Sequence, residues 1–239
     1  MKTIRFLSTT IAFMLLAGIS AEETLSPDVE PTKTEKMAPE EEKIKLPEPE
    51  KESSTSIEES LLQRRSVRQY KDEPLKLTDV SQLLWAAQGI TDSNRGFRTA
   101  PSAGALYPLE VYILIDDAVD LEKGVYKYYP GDHMLKMVKE GRLNQPLQEA
   151  ALGQSPISDA AAVLVFSAVY ERTTGKYHDR GIRYVHMEAG HAAQNVYLQA
   201  VSLDLGMVVI GAFDDNSVRN VMNMPEEEDP LYIIPVGQK

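Results

Sequence analysis

Large apolar side chains are nearly absent between residues 22 and 55, then recur with helical and strand-like spacing to the end of the chain. The earlier stretch is Pro, Glu and Lys, so it cannot bury enough surface to offset the entropy of ordering and is expected to be a disordered acidic tether. Folded structure is expected from Ser56. With Glu59 it makes a capping-box pattern ahead of Leu61 and Leu62, which predicts a short helix. A second helix is predicted after Thr78, with Val80, Leu83, Leu84 and Ala87 on one face and Gly89 as its stop. Trp85 in that helix reads as a core residue. A long loop over 90–108 leads into a strand over 110–114. The stretches 124–129 and 134–138 flank Pro130, Gly131 and Asp132 and predict a hairpin. After a helix near 144–152, the apolar run 160–169, interrupted only by Ser167, predicts a strand buried on both faces.

The longest helix is predicted over 182–204, where Val185, Ala189, Ala192, Val196, Ala200 and Leu203 recur at helical spacing before Gly206 as its stop. So many alanines imply close packing from several sides. A short strand over 207–210, a helix opened by Asp215 and a last strand over 231–236 complete the pattern. Strands and helices mix without regular alternation, which predicts an α+β layered domain over a doubly wound sheet, one domain over 56–239.

Composition adds a compartment and removes several chemistries. Lys2 and Arg5, the apolar run 11–16 and small residues up to Ala21 read as an export signal over 1–21, giving a periplasmic or extracellular protein. The run is too short for a comfortable membrane span; left uncleaved, it would tether the domain to the membrane. The chain has no cysteine, so lipid anchoring through sulfur, disulfides, thiol catalysis, Cys-ligated zinc and iron–sulfur clusters are excluded. The net charge is −11, but thirteen acids against five lysines in 22–60 and two cations in 1–21 leave only −5 for 61–239. No basic stripe able to displace phosphate counterions survives, so nucleic acid is not an expected partner.

Two segments concentrate chemistry. Arg64, Arg65, Ser66 and Arg68 put three guanidinium groups and a hydroxyl into five positions at a helix end, and such a group suits a phosphate. A solvated basic helix end is the alternative on these residues alone. The second segment, 99–108, encloses Ser102, Ala103, Gly104, Ala105 and Leu106 between Pro101 and Pro108. Small side chains let backbone groups approach the edge of a flat ligand, although the same residues also suit a simple Pro-bounded turn.

Together the two segments resemble the nitroreductase family, with the 101–108 loop in the form typical of its SagB-type dehydrogenase branch. The resemblance covers about residues 57 to 239. It implies a mainly antiparallel mixed sheet flanked by helices in three α/β/α layers, a homodimer, and FMN bound at the interface. Arg64, Arg65, Ser66 and Arg68 would then grip the FMN phosphate and ring edge. Pro101, Ser102, Ala103, Gly104, Ala105 and Leu106 would line the flavin from the other subunit. Ile210, Gly211 and Ala212 match a third family element whose backbone amides face the flavin N5 region, and Lys239 would complete the phosphate site. Peptide-modifying members of the branch place a Lys-Tyr pair about where Arg183 and Tyr184 stand. Arg183 cannot plausibly release its proton at neutral pH, which speaks against oxidation of a peptide azoline, while Tyr184 is a candidate acid or a core tyrosine.

No Gly-x-Gly-x-x-Gly follows a strand, so a separate nicotinamide site is not expected. Glu188 and His191 form one Glu-x-x-His pair, but a carboxylate-bridged metal site needs two such helices and more acids, so no metal is assigned and a buried polar network is expected. The resulting expectation is an FMN-dependent oxidoreductase that moves two electrons between flavin and a small organic substrate or redox partner. The competing expectations are a dehydrogenase acting on a peptide or azoline and a flavin-binding scaffold without turnover.

Overall fold

A computed structural model describes residues 43–239. The expected export signal over 1–21 and the tether residues up to 42 lie outside the described residues. Residues 43–55 depart from the tether expectation. Strand β1 (Lys43–Lys45) pairs antiparallel with Met134–Lys136 at the sheet edge, and Leu46 behind it is buried. Ser81 Oγ donates to the Pro47 carbonyl at 2.6 Å, and the Glu50 and Gln82 groups exchange two further bonds at 2.9 Å. An edge strand offers backbone hydrogen bonds to any sequence, so one buried leucine and a few polar anchors hold an arm whose composition reads as disordered.

From the arm the chain forms α1 (Ile57–Gln63), α2 (Leu77–Gln88), a small hairpin of β2 (Ile90–Asp92) and β3 (Phe97–Arg98), and a 3-10 turn at Ala103–Ala105. Then come β4 (Leu109–Ile115), β5 (Gly124–Tyr129), β6 (Met134–Glu140), α3 (Asn144–Ala150), β7 (Ala162–Ala168), α4 (Glu171–Tyr177), α5 (Arg180–Ser202), β8 (Leu205–Met207), α6 (Asp215–Met222) and β9 (Asp229–Gln238). The seven-stranded sheet runs β1-β6-β5-β4-β7-β9-β8, and every neighbouring pair is antiparallel. The doubly wound expectation is therefore wrong. Hairpins, not helical crossovers, join β4 to β5 and β5 to β6, and adjacent strands linked that way must run antiparallel.

Alternation along the central strands builds two cores. Val111, Ile113 and Ile115 of β4 and Leu164 and Phe166 of β7 face α2 and α5, while Tyr112, Leu114, Val163 and Val165 face α3 and α6. Three layers result, with β7 fully buried as its apolar run predicts. Truncating Leu164, fully buried in this sandwich, to Ala is expected to cost about 2–5 kcal/mol.

Several boundaries have causes the pattern does not announce. Ser56 caps α1 by accepting from the Glu59 amide at 3.0 Å, but the Glu59 side chain accepts from Gln63 instead of closing the box. Gly89 ends α2 at φ −63, outside the left-handed region; a Cβ there would stand 2.1 Å from Trp85 Cδ1, so ring packing requires the glycine. Helix α5 turns out of register at Asp204, at φ 59, and Gly206 lies inside β8.

Candidate functional site

The segment 64–70 leaves α1 and lies across the β8–β9 edge. Val67 N–H donates to the Met207 carbonyl and Lys71 N–H to Gln238, both at 2.9 Å. Two glycines permit this approach: a Cβ on Gly206 would stand 2.7 Å from Val67 Cγ1, and one on Gly237 2.7 Å from Tyr70 Cβ. Tyr70 is pressed onto the sheet, with its hydroxyl shared between the Val67 and Pro235 carbonyls at 3.0 and 3.2 Å. Burial pushes its phenol well up, so it stays a neutral donor.

This seat turns the polar groups of 64–68 away from the sheet. Arg64 is half-buried over the Tyr197 ring, 5.2 Å from its centroid, and Ser66 Oγ lies 3.0 Å from the Tyr197 hydroxyl. Arg65 folds back onto the carbonyls of Leu62 and Arg64, and Arg68 is exposed. Among the described residues, no carboxylate reaches ion-pair distance of any of the three. The Tyr197 hydroxyl also accepts from Val209 N–H at 3.0 Å, so one phenol ties the arginine segment to 209–213. Gly211 and Ala212 are exposed there, and among the described residues their N–H groups find no acceptor. Ile210 is buried behind them and pairs with Ile233, while Lys239 pairs with Asp204 at 3.0 Å.

The 101–107 loop is a separate construction. Gly104, Ala105 and Tyr107 take φ of 65, 54 and 46, and left-handed backbone at the alanine and tyrosine costs about 1–3 kcal/mol each. Clamps offset that strain. Ser102 Oγ accepts from Tyr107 N–H at 2.9 Å, and Arg172 of α4 donates to the Tyr107 carbonyl at 3.0 Å while pairing with Glu110 at 2.6 Å. A Cβ on Gly104 would meet the Tyr177 hydroxyl at 2.8 Å. Tyr177 in turn packs edge-on to Tyr184, with ring centroids 5.1 Å apart, whereas Arg183 is exposed. Pro101, Gly104 and Ala105 are exposed; Ser102, Ala103 and Leu106 are half-buried. Beneath the loop Glu188 is only 2% exposed. Burial pushes its carboxyl up to about 7, opposed by a hydrogen bond from Ser102 and the charge of Arg98. His191 is exposed, so it does not share that pocket.

Helix α5 separates the two constructions. Thr99 accepts from Asn195 Nδ2 at 3.2 Å, and Asn195 and Glu188, seven residues apart, share one flank. Tyr197 lies nine residues beyond Glu188, which at 3.6 residues per turn is roughly 180° around the helix. Within one chain the arginine segment and the Ser102 loop therefore stand on opposite sides of α5, and the structure does not bring them together. Tyr197, Tyr177 and Arg98 escape the sequence reading, whereas Glu188 is buried as the polar-network expectation has it, without His191. Tyr197 carries a signal in hindsight, being a large polar-tipped ring off the alanine stripe. Trp85, expected in the core, is half-buried on the wall of a cavity of about 800 Å³ between the arm, α2 and α5.

A three-layer antiparallel α+β domain, with a long alanine-rich helix dividing a cationic edge from a strained small-residue loop, defines the class: this is the nitroreductase fold. Residues 61–238 match the Nitroreductase family, and the chain belongs to it. A Methanocaldococcus jannaschii protein whose name places it among the nitroreductases is 50% identical over 196 residues, 82% of this chain and 96% of that protein. The Escherichia coli microcin B17-processing protein McbC is 29% identical over 157 residues, 64% of this chain and 58% of McbC, which bears out the resemblance to the SagB-type branch. A Ralstonia eutropha nitroreductase-family crystal structure superposes with TM-score 0.73 at 30% identity, covering 84% of this chain and 91% of that one. The Vibrio harveyi NADPH:FMN oxidoreductase, at TM-score 0.55 and 20% identity over 76% of this chain and 68% of that one, shares the fold.

Proposed function

We propose that this protein is an FMN-dependent oxidoreductase working as a homodimer, each cleft taking segments 64–68 and 209–212 from one subunit and the 101–106 loop from the other. The carrying observation is the guanidinium cluster that no carboxylate among the described residues neutralises, seated by two glycines and Tyr70 at the sheet edge. Arg64, Arg65, Ser66 and Arg68 would hold the phosphate by charge-assisted hydrogen bonds, with Lys239 as an outlying cation. The unmatched amides of Gly211 and Ala212 would donate to the ring edge, and the loop of Ser102, Ala103, Gly104 and Ala105 would cover it and exclude water. FMN supplies the two-electron chemistry when bound. Separation of the two constructions by α5 supports a shared cleft, since one chain alone offers half of it. Exposed Ile57, Leu61 and Leu62 of α1, the last 74% exposed, and Ile182 and Met187 of α5 offer apolar surface for the dimer.

Read with the export signal expected at 1–21, the electron partner is an organic substrate, a quinone or a redox protein in place of soluble NAD(P)H. The purified protein should be yellow and dimeric, and anaerobic mixing with NADPH should leave the flavin band largely intact. A colourless monomer that takes up no FMN contradicts the cofactor reading, and rapid bleaching contradicts the choice of partner. Similarity to McbC favours, as a second reading, a peptide substrate. Tyr184, held near the Ser102 loop through Tyr177, would be its acid, with Arg183 unable to act as a base.

A further inference from the structure

Under the 101–107 loop lies a buried polar cluster that the proposed cofactor contacts leave unused. Among the described residues, the buried Oε1 of Glu188 on α5 has no hydrogen-bond partner. The Ser102 hydroxyl lies beside its carboxyl and favours the charged form, and Arg98 of β3 does so through its charge without reaching ion-pair distance. Arg98 donates from Nη1 to Gln88 Oε1 at 2.9 Å, yet its own Nε and Gln88 Nε2 are buried and unmatched. Groups that serve packing alone are normally satisfied, because each orphan bears the full loss of its hydration. Three orphans joined in one cluster call for a function. The charged and titratable groups facing it are Glu110 of β4, Arg172 of α4 and Tyr107, all acting on Arg98, with Arg98 and Ser102 acting on Glu188.

We infer that Glu188 is the positioning and proton-exchanging group of the 101–107 loop, acting through the Ser102 hydroxyl. Ionised, it can only accept from Ser102 Oγ–H; neutral, it also carries an O–H able to donate to Ser102 Oγ. Ser102 Oγ is also the acceptor of the Tyr107 N–H that closes the strained turn, so a change of charge on Glu188 reaches the segment facing the cleft. The proton comes from solvent and returns to it, and the Glu188 O–H is the one bond made or broken. An electron pair delivered to the cleft by an organic donor adds negative charge and favours the protonated form. Burial already places the carboxyl near neutrality, where exchange is easiest.

This inference rests on the reading of the Ser102 loop as a flavin wall, and its test separates the two. Infrared titration of flavin-free protein should show a buried carboxyl changing state near pH 7, absent in Glu188→Gln. In FMN-loaded protein the reduction potential plotted against pH should bend in the same region, lose the bend in Glu188→Gln, and keep a displaced bend in Glu188→Asp. A carboxyl titrating in the ordinary range in the wild-type protein, or a bend that survives Glu188→Gln, overturns the inference. Failure to bind FMN sinks the cofactor reading instead, while the infrared arm still decides the state of Glu188.

Discussion

Two regions concentrate charge, and the fold treats them in opposite ways. Inside, Lys127 bridges Glu228 at 2.6 Å and Glu110 at 3.1 Å, Glu228 accepts from Ser167 at 2.6 Å and Tyr112 at 3.2 Å, and Arg172 closes on Glu110. Burial opposes the Lys127 charge, but the Glu228 hydrogen bond and the Glu110 charge outweigh it and hold the ammonium charged. At the β8–β9 edge, three arginines meet no carboxylate among the described residues, and one folds onto its own backbone. A charge cluster that completes itself holds structure together. One that is seated with equal care and left incomplete waits for a ligand of opposite charge.

Substitutions should separate the two regions. Lys127→Met leaves the buried Glu228 carboxylate without its cation, while Glu110 keeps Arg172, and should cost about 3–5 kcal/mol in denaturant unfolding, with FMN affinity of the folded fraction unchanged. The Glu188 cluster should appear as a pH slope. Its carboxyl is raised from 4.5 to about 7, so the folded chain holds the extra proton between those values. Its contribution is complete below 4.5 and lost as pH rises through 7, up to about 3 kcal/mol, and thermal unfolding from pH 4.5 to 8 should lose that part of its slope in Glu188→Gln. Arg64→Ala should weaken FMN binding by about 1.5–3 kcal/mol in fluorescence titration while moving the melting temperature little. Ser56→Ala removes the α1 cap and should cost about 1 kcal/mol of stability.

Elements whose side chains carry the periodicity are legible in the sequence. β7 is written in its apolar run, α5 in its alanine stripe and the β5–β6 hairpin in its turn residues. The arm over 43–55 is not, because backbone pairing at a sheet edge leaves no mark in composition. Helix α4 is also hidden: Glu171–Tyr177 holds two threonines and a glycine and has no apolar stripe. Strand direction, which the family resemblance implied as mainly antiparallel, is not carried by the hydrophobic pattern, since burial on both faces looks the same in parallel and antiparallel sheets. At the site, the arginines and the small-residue loop announce themselves by type and spacing. Tyr197 does not, and Glu188 announces only a buried polar group, because their roles depend on which flank of α5 meets which loop. Gly206 shows how a correct residue can be given the wrong cause: it admits Val67 to the sheet and ends no helix.

The phosphate grip is tested most directly by comparing the affinities of FMN and riboflavin, which share a ring and differ by the phosphate. FMN should bind far more tightly, and Arg64→Ala combined with Arg68→Ala should bring the two together. Equal affinity for both in the unsubstituted protein would contradict the phosphate grip.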